Sequence, residues 1–229
     1  MQITQGTSNL NRLIDHTLLK AETSKRDIEK LCQEAIQYQF FSVCIPPRWV
    51  FMASQFLHNH PTQVCTVVGF PLGHSHTDIK LAETEQALAD GANEIDMVMA
   101  IGSALQEDWK YVHQEIAKVK MVCKKNILKV IIETALLSDQ QIIKASETCL
   151  QSGADYVKTS TGFSTRGASP QDIRLMKSVV GNKIGIKASG GIKSLDQAMD
   201  LIALGATRIG TSSGIALVTN GSPKDLDTY

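Results

Sequence analysis

The sequence has no excess of either charge. Its 229 residues contain 23 Lys and Arg against 23 Asp and Glu, which gives a formal net charge of zero. A neutral chain has no broad positive field with which to attract nucleic acid or an anionic membrane surface. We therefore expect neither as a partner.

Long apolar runs and paired cysteines are lacking as well. No apolar segment approaches the length of a membrane span. The initial stretch MQITQGTSNL has neither the basic segment nor the apolar core of a signal peptide. The cysteines are odd in number and no two have a CxxC spacing, which fits reduced thiols better than a disulfide framework or a zinc site. We expect a cytoplasmic protein. The cysteines are Cys32, Cys44, Cys65, Cys123 and Cys149.

A repeating unit is present. Segments 90–99 (DGANEIDMVM), 152–161 (SGADYVKTST) and 204–213 (LGATRIGTSS) share one plan. In each, a glycine suited to the left-handed end of a helix is followed by alanine and then by an alternating strand. Capping boxes at Ser138 and Ser194 indicate where helices begin.

The same pattern extends over the whole chain and predicts eight strands, each followed by a segment long enough for a helix. Eight such units in this length predict an α/β protein with one (β/α)8 TIM-barrel domain over residues 1–229, ending in a short, mobile C-terminal tail. A doubly wound open sheet is the alternative, but no GxGxxG follows the first strand. The strands are predicted near 12–18, 41–46, 64–70, 93–99, 127–133, 155–160, 184–189 and 207–212.

Alternation along the strands indicates which side chains face the barrel lumen. Ile184 and Ile186 must face the helices, so Lys187 faces inward, and the same argument turns Asp96 and Lys158 inward. These positions fall at a similar height near the C-terminal mouth, where barrel enzymes hold their active sites. The alternative is a salt-bridge network that fills a polar barrel centre. The charged residues predicted in the lumen are Asp15, Asp96, Lys129, Glu133, Lys158 and Lys187.

Two lysines and an aspartate at such a mouth indicate a definite chemistry. Neighbouring ammonium groups and enclosure both lower a lysine pKa, and a neutral amine can form a Schiff base with a carbonyl. The iminium accepts the electrons of a breaking carbon–carbon bond, and an aspartate with a bound water can move the proton. This is class I aldolase chemistry, and it requires no metal or cofactor. Glycine- and serine-rich loops at 189–192 and 210–214 predict a phosphate-binding site.

The sequence as a whole resembles the deoxyribose-phosphate aldolase family. The resemblance covers nearly the whole chain, and the motifs together are highly specific. They are IDHTLL (14–19), SVCIPP (42–47), VVGFPLG (67–73), EIDMVM (94–99), KVIIET (129–134), VKTSTGF (157–163) and IKASGGI (186–192). The family reversibly cleaves 2-deoxy-D-ribose 5-phosphate, a small sugar phosphate, to D-glyceraldehyde 3-phosphate and acetaldehyde.

The resemblance also implies roles for single residues. Lys158 would be the Schiff-base lysine, Lys187 the second lysine that makes the amine give up its proton, and Asp96 the proton donor and acceptor. Members of the family are often dimers or tetramers, so a homo-oligomer is expected. The residues that would line the pocket are Asp15, Thr17, Cys44 and Lys129. Those that match positions near the substrate phosphate are Gly162, Gly190, Gly191, Ser212 and Ser213.

Several residues depart from the pattern or stay outside it. Arg166 replaces a glycine of many relatives, and we expect it to point to solvent rather than to the phosphate. His74 and His76 lack a convincing third ligand, so they are interpreted as loop residues and no metal is assigned. Cys44 is interpreted as a small buried residue. Tyr229 could reach the pocket, but a frayed tail is the preferred interpretation.

Two competing functions stay open at this point. One is another lysine-dependent barrel aldolase, such as a transaldolase or a keto-acid aldolase, although KTSTG and KASGG one unit apart are not expected there. The other is a sugar-phosphate-binding barrel that has lost its chemistry. The presence of Lys158, Lys187 and Asp96 together argues against it.

Overall fold

The computed structural model describes residues 10–219, which form one closed barrel of eight parallel strands in chain order. β1 pairs with β8 and closes the barrel, which confirms the (β/α)8 prediction and excludes the open sheet. All eight strands overlap their predicted positions. They are β1 Ile14–Thr17, β2 Ser42–Ile45, β3 Gln63–Val68, β4 Glu94–Val98, β5 Ile127–Ile131, β6 Tyr156–Lys158, β7 Gly185–Ser189 and β8 Arg208–Thr211. The expected C-terminal tail and Tyr229 lie outside the described residues.

Helices lie between the strands and cover the outside of the barrel. The predicted capping boxes at Ser138 and Ser194 are present. Ser24 and Ser169 form two more, with Pro170 in the first turn of the helix that follows Ser169. Each serine hydroxyl accepts a hydrogen bond from a backbone N–H that lacks a partner within its helix. The helices are α1 Lys25–Gln37, α2 Val50–Phe56, α3 Thr77–Ala89, α4 Ile101–Leu105, α5 Trp109–Cys123, α6 Asp139–Gln151, α7 Pro170–Val180, α8 Leu195–Ala203 and α9 Gly214–Thr219.

The hydrophobic core is the shell between the strands and the helices. Outward strand residues such as Ile95, Val157 and Ile186 are buried in it and pack with helix residues such as Ile28 and Ile116. Because the apolar positions of each strand face this shell, the alternate positions face the lumen. The polar side chains of those positions are therefore concentrated in the centre of the barrel.

No helix in the range 10–219 is long and apolar enough to span a bilayer.

A buried ion pair joins α3 to α5 behind the loops that follow β3 and β4. Lys80 Nζ lies 2.8 Å from Glu115 Oε1, and both side chains are fully buried. The same ammonium donates to the carbonyl oxygens of Gly73 and Val98, each at 2.9 Å. One side chain thus ties the loop after β3 and the end of β4 to α3.

Replacing Lys80 by alanine is expected to lower the free energy of unfolding by about 3–5 kcal/mol, because Glu115 is left as a buried charge without its partner. The matched control is Lys25→Ala, which breaks an exposed pair at 3.6 Å and should change stability by less than about 0.5 kcal/mol. Urea unfolding of both variants measures the difference. Equal, small losses in the two variants would contradict a structural role for the buried pair.

Candidate active site

One carboxylate in the barrel centre accepts hydrogen bonds from three lysines. Asp96 Oδ2 lies 2.8 Å from Lys158 Nζ and 2.7 Å from Lys187 Nζ. Its other oxygen, Oδ1, lies 2.8 Å from Lys129 Nζ. All four side chains are buried. The predicted inward side chains of β4, β5, β6 and β7 therefore converge on one point.

The strand register explains why two ammonium groups lie side by side. Lys158 and Lys187 are direct partners in the β6–β7 ladder, so their side chains leave the sheet next to each other on the same face. Gly210 on β8 leaves room for them, because a Cβ there would lie 3.0 Å from Lys187 Cε. A larger residue at 210 would displace the second lysine.

A deeper polar layer lies beneath these lysines, and our sequence reasoning missed two of its members. Arg208 bonds to Asp15 Oδ1 at 2.8 Å and lies 3.1 Å from Glu94 Oε2. Its guanidinium also stacks over the Phe41 ring, 3.6 Å from the centroid. Glu94 and Arg208 stand two residues before Asp96 and Gly210. Because alternate residues face the same side of a strand, the alternation that turns Asp96 inward also predicts Glu94 and Arg208 as inward-facing residues.

The carboxylates hold the second lysine in its charged form. Burial lowers the pKa of Lys187, but the adjacent Asp15 and Asp96 carboxylates more than offset burial, so its pKa lies above the ordinary lysine value. Burial likewise raises the pKa of Asp96, whereas Lys129, Lys158 and Lys187 lower it well below the ordinary aspartate value. In the free site, Lys187 is thus held as a cation and Asp96 as an anion near neutral pH.

A cavity of about 360 Å³ opens at the C-terminal mouth of the barrel. Among the described residues, Lys158 is the lysine of the cluster around Asp96 that lines this cavity. Lys129 and Lys187 lie behind it and are fully buried. A ligand in this cavity can therefore touch Lys158 directly, whereas it meets Lys187 and Asp96 only through that side chain or a water.

The residues predicted near the phosphate lie together on the cavity wall. They come from the loops after β6, β7 and β8, and the exposed amines of Lys20 and Lys193 add positive charge at the rim. Thr17 lines the cavity as well, but Asp15, Cys44 and Lys129 are fully buried below it. The cavity-lining residues predicted near the phosphate are Gly162, Gly190, Gly191, Ser212 and Ser213.

Comparison with known proteins agrees with this geometry. The sequence profile of the DeoC/LacD family of aldolases matches residues 11–219. The chain belongs to this aldolase family. It is 47% identical over 222 residues to the deoxyribose-phosphate aldolases of Bacillus cereus strain AH820 and Bacillus anthracis, which covers 96% of this chain and 100% of each relative. A solved structure, described as a unique tetrameric structure of deoxyribose-phosphate aldolase from Aeropyrum pernix, superposes with a TM-score of 0.87 at 32% identity, covering 93% of this chain and 90% of that one.

Within this aldolase barrel, two thiols lie next to the central carboxylate. Cys65 Sγ is 3.2 Å from Asp96 Oδ1 and 3.3 Å from Lys129 Nζ. Cys44 is its register partner on β2. The ligand atoms of Cys44, Cys65 and Asp96 lie within 4.8 Å of one another, a spacing that could hold a metal ion. Lys129 and Lys187 already pair with that carboxylate as cations and repel a further one, so we assign no metal to it.

His74, His76 and Arg166, which the sequence places outside the site, lie away from the aldolase cavity. His76 caps α3, where its Nδ1 accepts from the Asp78 N–H at 3.3 Å, and His74 is exposed beside it. Arg166 was expected to point to solvent rather than to the phosphate, and its side chain is 43% accessible and does not line the cavity. Its guanidinium also forms a bidentate pair with Asp172, at 2.6 and 3.1 Å. Asp172 caps α7 and supplies the planar acceptor that arginine prefers.

Glu133 was expected among the lysines, and the structure corrects that expectation. It lies two residues past the end of β5 and bonds to Thr161 instead, at 2.5 Å from its Oγ1 and 3.2 Å from its N. The lysine cluster lies one layer deeper, around Asp96. Inward direction alone therefore did not determine the depth of the carboxylate.

The lowered pKa of Asp96 predicts a pH-dependent contribution to stability. A carboxyl whose pKa is lower in the folded chain stabilises the fold above its unfolded value, near 3.9, and this contribution is lost as the pH falls through the folded value. Asp96→Asn should therefore be about 3–5 kcal/mol less stable than the wild type at pH 6. The difference should shrink between pH 4 and pH 3 in urea unfolding. A difference that does not change over this range would contradict the ion-pair account.

Proposed function

We propose that this chain is a class I aldolase that reversibly cleaves 2-deoxy-D-ribose 5-phosphate to D-glyceraldehyde 3-phosphate and acetaldehyde through a Schiff base on Lys158. The observation that carries the proposal is the position of Lys158, which lines the mouth cavity while its amine donates to Asp96 at 2.8 Å. The shared name of the Bacillus relatives supports the choice of substrate.

Charge balance in the barrel supports Lys158 as the nucleophile. The ion-paired cluster contains four basic and three acidic side chains. One basic group thus lacks a carboxylate of its own, and an unbalanced buried charge is costly. We assign the free amine to Lys158, because it is the member that a carbonyl substrate can reach. The basic members are Lys129, Lys158, Lys187 and Arg208, and the acidic ones are Asp15, Glu94 and Asp96.

In the proposed reaction, the Lys158 amine adds to C1 of the open-chain sugar and water leaves, which gives the iminium. The hydroxyl on C3 loses its proton and the C2–C3 bond breaks. The bond electrons move into the iminium and leave an enamine, while D-glyceraldehyde 3-phosphate departs. Protonation of the enamine at C2 and hydrolysis then release acetaldehyde and restore the amine. Asp96 is the buried carboxylate placed to relay these protons through a water.

The glycine- and serine-rich loops are assigned to the phosphate. Gly162, Gly190 and Gly191 all have positive φ angles, between 73° and 88°. This conformation lets backbone N–H groups turn toward an anion without a side chain in the way. Lys193 and Lys20 at the rim would attract the dianion before it reaches the loops.

The test is formation of D-glyceraldehyde 3-phosphate from 2-deoxyribose 5-phosphate, measured through a coupled reduction of the triose phosphate. We expect turnover that survives a metal chelator. A folded protein that binds the sugar phosphate but releases no triose phosphate would favour the non-catalytic barrel instead. Turnover of a keto-sugar phosphate in its place would favour another lysine-dependent aldolase.

We further propose a homo-oligomer, dimer or tetramer, located in the cytoplasm. The relative from Aeropyrum pernix is described as a tetramer. Met121 on α5 is 77% exposed in a groove whose other lining residues are Leu81, Leu88 and Val122 together with the charged Glu85, Lys118 and Lys124. The five cysteines are free and buried, which suits a reducing compartment. Native mass spectrometry gives the oligomeric state directly, and a monomer at micromolar concentration would contradict the first proposal.

A further inference from the structure

Glu133 has an unusual backbone for its place in the chain. Its φ is 54°, in the left-handed region, and it follows a strand. Three other non-glycine residues between Leu10 and Thr219 have positive φ, and all three stand at the C-terminal ends of helices, where this conformation is common. They are Gln39, Glu107 and Lys124. A left-handed residue after a strand is strained, and such strain is found at functional sites.

The side chain that this backbone directs inward anchors the loop after β6. Glu133 Oε2 accepts from Thr161 N at 3.2 Å and from Thr161 Oγ1 at 2.5 Å. The same hydroxyl oxygen accepts from Phe163 N at 3.0 Å, which closes a tight turn around Gly162. Oε1 is buried and has no hydrogen-bond partner within residues 10–219. The anchor therefore acts through a single oxygen atom.

This turn is part of the cavity wall and touches the next loop. Thr161, Gly162 and Phe163 all line the cavity. Further along the same loop, Ala168 N donates to Ser189 O at 3.0 Å. Gly167 packs against Gly190 so closely that a Cβ on it would lie 2.0 Å from Gly190 O. One buried carboxylate thus fixes the turn at Gly162. Because Gly167 and Ala168 of the same loop contact the segment that follows β7, the position of this loop also determines the position of Gly190.

We propose that Glu133 is a positioning residue that holds the anion-binding loops in the geometry that receives the substrate phosphate. This rests on the proposed function, and it adds a residue that does not itself touch the ligand. A carboxylate at close range would repel a phosphate. The contribution of Glu133 is therefore the orientation of Thr161 and Gly162, not direct contact with the anion.

The test separates phosphate binding from chemistry by using two substrates. Glu133→Ala should raise the KM for 2-deoxyribose 5-phosphate and the inhibition constant of inorganic phosphate about ten-fold each. Turnover of unphosphorylated 2-deoxyribose should change by less than about two-fold, because the lysine cluster is untouched. Glu133→Gln keeps an acceptor oxygen and should restore most of the affinity. Glu147→Ala on the exposed face of α6 is the matched control and should leave all constants unchanged.

Thr161→Val provides an independent check if Glu133→Ala does not fold. It deletes the hydroxyl that joins Glu133 to Phe163 N and should give the same phosphate-specific loss. Where Glu133→Ala folds, the double variant should lose no more phosphate affinity than either single variant. Equal losses with both substrates, or an unchanged phosphate inhibition constant, would overturn the proposal. A wild type that does not cleave 2-deoxyribose 5-phosphate would instead refute the proposed function, so the two failures are distinguishable.

Discussion

Lys158→Met is expected to lower the turnover of 2-deoxyribose 5-phosphate by about 10⁴-fold or more while the fold is retained. Methionine has a similar length and no amine, so the Schiff base cannot form and the carbon–carbon bond has no electron sink. It also leaves three basic and three acidic side chains in the cluster, so stability should not fall. Steady-state kinetics with circular dichroism on the same sample measures both properties.

The control for this variant is Lys144→Met, which removes an exposed lysine of α6, 47% accessible, that pairs with Glu147 at 3.0 Å. It should keep wild-type activity. If Lys158→Met retained more than about one per cent of the activity, another nucleophile would be doing the chemistry. Lys187 and Lys129 would then be the next candidates, although the cavity does not reach them.

Lys187→Met is expected to shift the acidic limb of the rate–pH profile upward and to lower the rate at pH 7 by about 100-fold. Lys187 stays charged because Asp15 and Asp96 raise its pKa, and it shares one oxygen of Asp96 with Lys158. When two amines bond to the same oxygen, a positive charge on one opposes protonation of the other by about 3 kcal/mol at an effective dielectric constant of 20. This corresponds to a shift of the rate–pH profile by about two pH units. The direction follows because removing a neighbouring cation makes it easier for the remaining amine to keep its proton.

Lys129→Met is the comparison for this prediction. It also removes a buried lysine of the cluster, but one that bonds to the far oxygen of Asp96 and to Glu94. We expect a smaller shift of the rate–pH profile, because the removed charge is farther from the reacting amine. Unchanged profiles in both variants would contradict the like-charge account and leave enclosure as the cause.

The barrel and its central lysines could be predicted from the sequence because both follow from local rules. Each strand alternates apolar and polar residues, and the apolar face must meet the helices, so the inward direction of Asp96, Lys158 and Lys187 follows from two or three neighbours. The position of the mouth follows from the order of strand and helix. These arguments require no knowledge of which strand pairs with which.

Other features depend on contacts between distant segments and could not be found in that way. Lys80 of α3 and Glu115 of α5 are 35 residues apart in the chain. Nothing local in α3 marks that lysine as buried. Arg166 reads as an ordinary exposed loop residue until the loop folds back onto α7. Glu133 bonds to Thr161, 28 residues away, so its partner could not be inferred from alternation along β5.

The most direct test of the account is borohydride reduction of the wild-type protein in the presence of acetaldehyde, followed by intact-mass spectrometry and peptide mapping. The account predicts one covalent two-carbon adduct, located on Lys158, and its loss in Lys158→Met. An adduct on Lys187 or Lys129 would contradict the assignment of the nucleophile. The absence of any adduct on a folded, phosphate-binding protein would contradict Schiff-base chemistry altogether.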